Sequence, residues 1–247
     1  MNLASELTAI EQGVIRSPWE GHETVRGFAV MSLPFESGHV LASRTIPQSD
    51  FGPYSTLWHR RPDGRWSIHV DAPLLEVACP RYWGPAAVEN AFADIELSWT
   101  GPNTARMTVD APALEWTFSM SQGPLLAVLN ALHAALPLGS WRPRVLVAAR
   151  EWLAEHVLRV GRIDLAGRLP GGMNGTMMPA RIYRIHDAAA RLDGVDLGRP
   201  VRADAPPRLG EFELPSSPIF AVGGAHVETP DRDEYERLVR EVARRGD

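Results

Sequence analysis

Between Thr24 and Met120, apolar and polar residues alternate in short runs separated by turn-forming residues. That period of two is the mark of half-buried antiparallel strands. The cleanest run is "LEWTFSM", with Leu114, Trp116, Phe118 and Met120 on one face and Glu115, Thr117 and Ser119 on the other. "DIELSWT" sets Ile95, Leu97 and Trp99 on one face, and "TARMTVD" answers across "GPN" with Ala105, Met107 and Val109. Upstream, "TVRGFAVMSLPF" and "HVLASRTI" flank "ESG" and predict a hairpin. The pattern breaks at Gln122. "GPLLAVLNALHAAL" is apolar nearly all round and long enough for about three and a half helical turns. Asn130 and His133 are its only strongly polar interior positions. A second helix is predicted from near Pro143 to Gly161, with proline early and glycine late. The pair is expected to pack over a sheet face or to plug one end of a barrel.

Strand texture returns at "RIDLAGRL" and continues through "RIYRIHDA", "ARLDGVDLG" and "IFAVGGAHVE". A short helix is predicted over residues 3–12. A last helix is predicted with Thr229 as its cap, Pro230 in its first turn, and Tyr235, Leu238, Val239 and Val242 at helical spacing. The fold expected is mainly β with a helical insertion (α+β), an antiparallel barrel or two half-barrels. One β-rich domain over residues 1–247 is the simplest organisation. The alternative is a β half (1–121), a helical insertion (122–161) and a second β half with the C-terminal helix (162–247).

Hydrophobic residues make up 45% of the 247, so a substantial core can form. The net charge is −5, and all 25 basic residues are arginines. With no lysine there is no side-chain amine for a Schiff base, which excludes lysine-dependent aldolase, decarboxylase and pyridoxal-phosphate chemistry. Mild acidity and scattered arginines argue against nucleic-acid binding. The single cysteine, Cys79, excludes a disulfide within the chain. The start "MNLASELTAIEQ" lacks the basic and apolar regions of a signal peptide, and no apolar run reaches the about eighteen residues of a membrane span. A cytoplasmic protein is expected.

The most informative stretch is "STLWHRRPDGRWSIHVDA", residues 55–72. "RPDGR" favours a type I turn at Pro62-Asp63, with Gly64 in the left-handed position. With Arg61 facing Arg65, Arg60 faces Trp66, His59 faces Ser67, Trp58 faces Ile68 and Leu57 faces His69. One face then holds Thr56, Trp58, Trp66, Ile68 and Val70. The other holds Ser55, Leu57, His59, Ser67, His69 and Asp71, with His59 and His69 diagonal at roughly 7–8 Å. That polar face either looks at water, as half-wet antiparallel sheets do, or forms a pocket wall.

Other candidates are fewer. "CPRYWG" offers Arg81, Tyr82 and Trp83 as a pocket rim or as a structural loop with tucked aromatics. Cys79 has no local activator and reads as an inert buried thiol. Glu115 becomes a proton donor only if its face is a dry lumen, and is otherwise a surface carboxylate. Asp50 precedes "FGPY", a loop able to bring it near Tyr54. His133 reads as a satisfied core histidine. No HExxH or HxH spacing occurs, so no metal is expected; His59, His69 and Asp71 would bind one only through cross-strand geometry. No GxSxG elbow or phosphate loop is present, and "PGGMNGTMM" reads as a wide turn.

"RRPDGRWSIHVD" followed by "IELSWTGPNTARMTVDAPALEW" resembles the lipocalin-like proteins that include carotenoid hydratases and tocopherol cyclase, over about residues 24–120 with a fainter echo in 162–228. The block 122–160 has no counterpart there. The resemblance implies a barrel holding a long apolar molecule and, in enzymatic members, protonation of a carbon–carbon double bond followed by water addition or ring closure. The leading expectation is therefore an enzyme acting on a hydrophobic small molecule by hydration, cyclisation or isomerisation, without an organic cofactor. Asp71, His59, His69 and Glu115 are its candidate proton-transfer groups. Tyr54, Trp58, Arg81, Tyr82, Trp83 and Trp116 are its candidate ligand-binding residues. A non-catalytic carrier or sensor is the alternative, and a homodimer is a further possibility. Trp58 and His59 point to opposite faces of one strand, so they share a lumen only if the strand twists or bulges.

Overall fold

The computed structural model describes residues 2–246. Ten strands run in one continuous sheet: β1 (His22–Pro34), β2 (Val40–Ser49), β3 (Tyr54–Arg60), β4 (Trp66–Asp71), β5 (Glu89–Phe92), β6 (Ile95–Gly101), β7 (Thr104–Val109), β8 (Leu114–Ser121), β9 (Asn174–Leu192) and β10 (Ile219–Glu228). Their spatial order is β5-β4-β3-β2-β1-β10-β9-β8-β7-β6. Two meanders are thus zipped together where β1 pairs antiparallel with β10. Only the β4–β5 pair on this path is parallel. Short stretches at Gly13–Val14, Ala166–Arg168 and Val195–Asp196 extend the ladders. Five helices accompany the sheet: α1 (Leu3–Thr8), α2 (Cys79–Trp83), α3 (Pro124–Ala134), α4 (Arg144–His156) and α5 (Arg232–Gly246).

The sheet curls into a half-barrel. Leu57 of β3 and Ile95 of β6 lie at opposite ends of the strand order, yet share one core with Phe28, Trp116, Phe118 and Phe220. Trp116 and Met107 are fully buried there, each side chain adding about 1.5–3 kcal/mol of transfer free energy. The inner face is therefore filled by side chains along most of its length. A second core covers the outer face of the first meander. There Trp58, Ile68 and Val70 meet Cys79, Tyr82 and Trp83 of α2, and Phe212 from a distant loop.

The curl needs bare backbone at the sheet's centre. Gly27 faces Gly223 across the β1–β10 ladder. A Cβ on Gly27 would collide with the Thr45 carbonyl, and one on Gly223 with the Met178 carbonyl. Nothing larger than glycine lets the neighbouring strands approach this closely.

Most predicted elements appear, with shifted ends. The hairpin register at residues 55–71 is as the alternation requires, and Gly64 has φ +90°. β8 keeps its alternation, with Leu114, Trp116, Phe118 and Met120 buried. The helical pair packs over the outer sheet face. "CPRYWG" forms a helical turn rather than a loop, since Pro80 suits a first-turn position. "RIDLAGRL" pairs only through Ala166–Arg168. The last helix starts at Arg232, because Asp231 accepts the Glu234 amide at 3.0 Å, while the Thr229 amide binds Gly21 instead. α1 ends at Thr8, well short of residue 12. "PGGMNGTMM" is a turn only as far as Met173, after which β9 begins.

α3 docks through its two polar positions. β9 pairs with β10 through its first half and with β8 through its second, leaving an open edge near Ala180 and Ile182. The Asn130 amide donates to the Ile182 carbonyl at 2.8 Å and accepts from the Ile182 amide at 3.0 Å. It stands in for a strand residue on an edge that would otherwise be unpaired. One turn on, His133 Nδ1 lies 3.3 Å from the Ala180 carbonyl while Nε2 accepts from Arg150 at 3.0 Å. Arginine can only donate, so the proton sits on Nδ1, and His133 is a satisfied structural histidine.

Candidate functional site

The alternation of β3 sorts its side chains between two compartments. Leu57 belongs to the inner core, while Tyr54 and Trp58 belong to the outer one. A two-lobed apolar cavity lies on the outer side, between the sheet and the segments that cover it. The first lobe, about 130 Å³, reaches from Tyr54, Tyr82 and Trp83 past Ile46 and Phe212 to Met31 and Ile163. The second, about 110 Å³, continues under α3 and α4, against Leu126, Leu129 and Leu153. Met31, Ile163, Leu165, Pro179, Pro215 and Ala221 line both, so the two lobes adjoin along this strip, the neck. For scale, an apolar cavity of about 150 Å³ accepts one benzene ring. Above the second lobe, Leu125, Val128, Leu132 and Trp152 are exposed on the helical pair.

Among the charged residues that line this cavity, Arg44 is the one on the sheet. On β2 it alternates with Ala42 and Ile46, both buried in the outer core. Its Nη1 donates to the carbonyls of Val30 at 2.8 Å and Ser43 at 2.9 Å, where the β1–β2 register slips between Val30 and Leu33. Its guanidinium lies 4.2 Å over the Trp58 ring. The side chain is part-buried and lines the cavity. Burial pulls its pKa down to about 10, against the opposing pull of the nearby Cys79 and Tyr54. Removing such a cation from water costs on the order of several kcal/mol. Tyr54 and Cys79 sit beside it, with Tyr54 Oη 4.0 Å from Cys79 Sγ. Burial raises both their pKa values, so both stay protonated.

The sequence-derived ligand residues divide. Tyr54, Tyr82 and Trp83 line the cavity. Trp58 stands behind Arg44 and contacts Trp83 at 5.2 Å between rings. Trp116 lies in the inner core and is not part of this cavity. Arg81 is not free to hold a ligand. Its Nε and Nη2 grip the buried Glu23 at 3.0 and 2.8 Å, Tyr82 Oη donates to the same carboxylate at 2.6 Å, and Nη1 reaches Glu234 at 3.5 Å. This bidentate clamp fixes α2 to the sheet.

The proton-transfer candidates lie elsewhere. His59, Ser67 and His69 are buried on the inner side of the hairpin, on the face opposite the cavity. His69 Nε2 is 3.1 Å from Ser67 Oγ, and His69 Nδ1 has no hydrogen-bond partner. His59 Nε2 bonds His39 Nδ1 at 2.7 Å with the rings stacked. Burial, then the His39 and Arg61 charges, pushes His59 down to about 4. Burial also lowers His39 and His69. Asp71 is exposed and lines a separate open groove of about 640 Å³ at the unclosed seam between the β3 and β6 sides, with Ser55, Phe28 and Trp99. Glu115 faces solvent, two-thirds exposed, and pairs with Arg106 at 3.0 Å; the dry lumen its acid role requires is absent around it. Asp50 turns away from Tyr54 and accepts from Tyr235 Oη at 2.6 Å and the Thr24 amide at 2.5 Å.

Sequence reasoning missed Arg44 and His39. The signal for Arg44 was present: an arginine between Ala42 and Ile46 on the apolar face of a strand. His39 falls just before β2, where the Leu41–His59 pairing draws it towards the hairpin. Among the described residues, no group of three or more metal-ligating side chains converges, and no helix is long and apolar enough to cross a membrane. Comparison of the chain with known protein families, with curated proteins and with solved structures finds no match in any of the three.

Proposed function

We propose that this protein binds an apolar small molecule in the two-lobed cavity, as a carrier or sensor. The observation that carries the reading is the pair of adjoining apolar lobes on one side of the sheet, with lining residues from Met31 to Ala221 in common. Binding pockets are concave, mostly apolar and furnished with a few polar groups. None of the four candidate proton-transfer residues lines this cavity, which favours binding over acid–base turnover within it. The lipocalin-like resemblance implies a guest inside the curl, where side chains fill the space, so this reading rests on the outer cavity alone. The test is a thermal-shift and native mass spectrometry series with 1-octanol, 1-decanol and 1-dodecanol. A saturable one-to-one adduct that raises Tm supports the reading. Absence of saturable binding across the series overturns it.

A second reading, an enzyme for hydration, cyclisation or isomerisation, is favoured by Asp71 beside Trp99 and Phe28 in the seam groove. An acid next to aromatic faces suits cationic intermediates. Its test is turnover of any apolar molecule that co-purifies with the protein. Asp71→Asn then abolishes turnover without loss of binding if the reading holds, and leaves the rate unchanged if it fails.

A further inference from the structure

We propose that the cavity takes an apolar acid, its carboxylate held by Arg44 and its tail running through the neck towards α3 and α4. The proposal rests on the binding function above and names its ligand class.

Arg44 is a part-buried cation without a counter-charge among the described residues: no carboxylate there stands within ion-pair distance of it. Two acidic residues do line the same cavity, and both are engaged. Asp164 Oδ2 accepts the Glu213 amide at 2.8 Å, and Glu213 lies 3.0 Å from Arg162 and 3.3 Å from Arg208. The groups beside Arg44 are Cys79 and Tyr54, both protonated.

The unused donors of Arg44 have a definite shape. Nη1 is committed to two carbonyls, while Nε and Nη2 make no hydrogen bond. Neither is among the sealed polar atoms that lack a partner, and Arg44 lines the cavity. Nε and Nη2 form one edge of the planar guanidinium, the edge that matches the two oxygens of a carboxylate. Arg81 uses this same edge on Glu23 a short way off in the same fold. In Arg44 that edge makes no hydrogen bond to protein among the described residues. Its weakly hydrated cation, already partly stripped of water and steadied on Trp58, is pre-organised for an anion from outside.

The rest of the cavity sets the tail. Beyond Arg44 the walls are Met31, Ile163, Pro179 and Ala221, then Leu126 and Leu129. By the benzene scale, two such lobes accept roughly ten to twelve carbon atoms. A medium-chain or bicyclic carboxylic acid fits that description.

The experiment compares decanoate with 1-decanol on the intact protein at pH 8, by calorimetry, for the wild type and for Arg44→Met. Expected are an affinity for decanoate about tenfold or more above that for 1-decanol in the wild type, and loss of this preference in Arg44→Met with 1-decanol binding kept. The wild-type comparison needs no variant and stands even if Arg44→Met fails to fold. If both bind with equal affinity, the headgroup assignment is overturned while the apolar-binding function survives. If neither binds, the binding function itself falls, and the headgroup with it.

Discussion

Trp58 and His59 are adjacent in β3 and look into different compartments, Trp58 towards the outer cavity wall and His59 towards the buried histidine pair on the inner side. One peptide unit of a flat strand separates a ligand wall from a structural polar cluster. The side-chain period of two makes this unavoidable, because β3 carries no bulge against β2 or β4.

The neck residue Ala221 lines both lobes. Replacing it with leucine adds three carbons where the lobes meet. Affinity for 1-decanol is expected to fall about tenfold or more. Stability is expected to change by no more than about 1 kcal/mol, since the added carbons enter empty space rather than a filled core. Calorimetry and urea denaturation measure the two quantities.

Acid should destabilise the fold before its carboxylates titrate. His59 and His226 both have folded-state values near 4, against about 6.5 when unfolded, and burial is the first cause in each. The unfolded chain therefore binds more protons between those values. Stability is complete above about pH 6.5 and falls as pH drops towards 4, by at most about 1.4 kcal/mol per pH unit for each such group. His226→Asn should flatten part of that limb in urea midpoints recorded from pH 7 to 4. An unchanged limb would contradict the assignment.

Glu23 and Arg81 form an ion pair with almost no exposed surface. Arg81→Met leaves a buried carboxylate without its cation and is expected to cost about 3–5 kcal/mol. Glu23→Gln combined with Arg81→Met should cost less than the sum of the two single changes, because the second removes the charge stranded by the first. A double-mutant cycle in urea reads the coupling.

Asn130→Ala leaves both backbone groups of Ile182 without their partners. The expected loss is about 1–3 kcal/mol. Hydrogen exchange at the Ile182 amide should accelerate well beyond that of Tyr183, whose residue pairs with Phe220 of β10.

The hairpin was legible in the sequence because a short turn and strict alternation fix its register together. β8 was legible for the same reason, and α3 because its two polar positions stood out. What could not be read was which face each strand turned to a compartment. The polar face of β4 would be half-wet at a sheet edge, but β5 pairs alongside it and closes that edge. Arg44 and Arg81 are one residue type, and local sequence did not show that Arg81 is taken up by an ion pair. The partner of Arg81 is Glu23, fifty-eight positions away, and only tertiary packing joins them. Asp50 was likewise drawn to Tyr54 by proximity in the chain, whereas the structure assigns it to Tyr235.

The Gly27–Gly223 pairing at the centre of the sheet has a consequence for biosynthesis. The strand that begins at His22 leaves the ribosome long before its partner, which is complete only at Glu228. At ordinary translation speeds that delay is roughly 10–40 s. Throughout it the first strand has one edge paired with β2 and the other open, and pairing of such distant segments is intrinsically slow. The last strand thus acts as the closing stitch of the sheet.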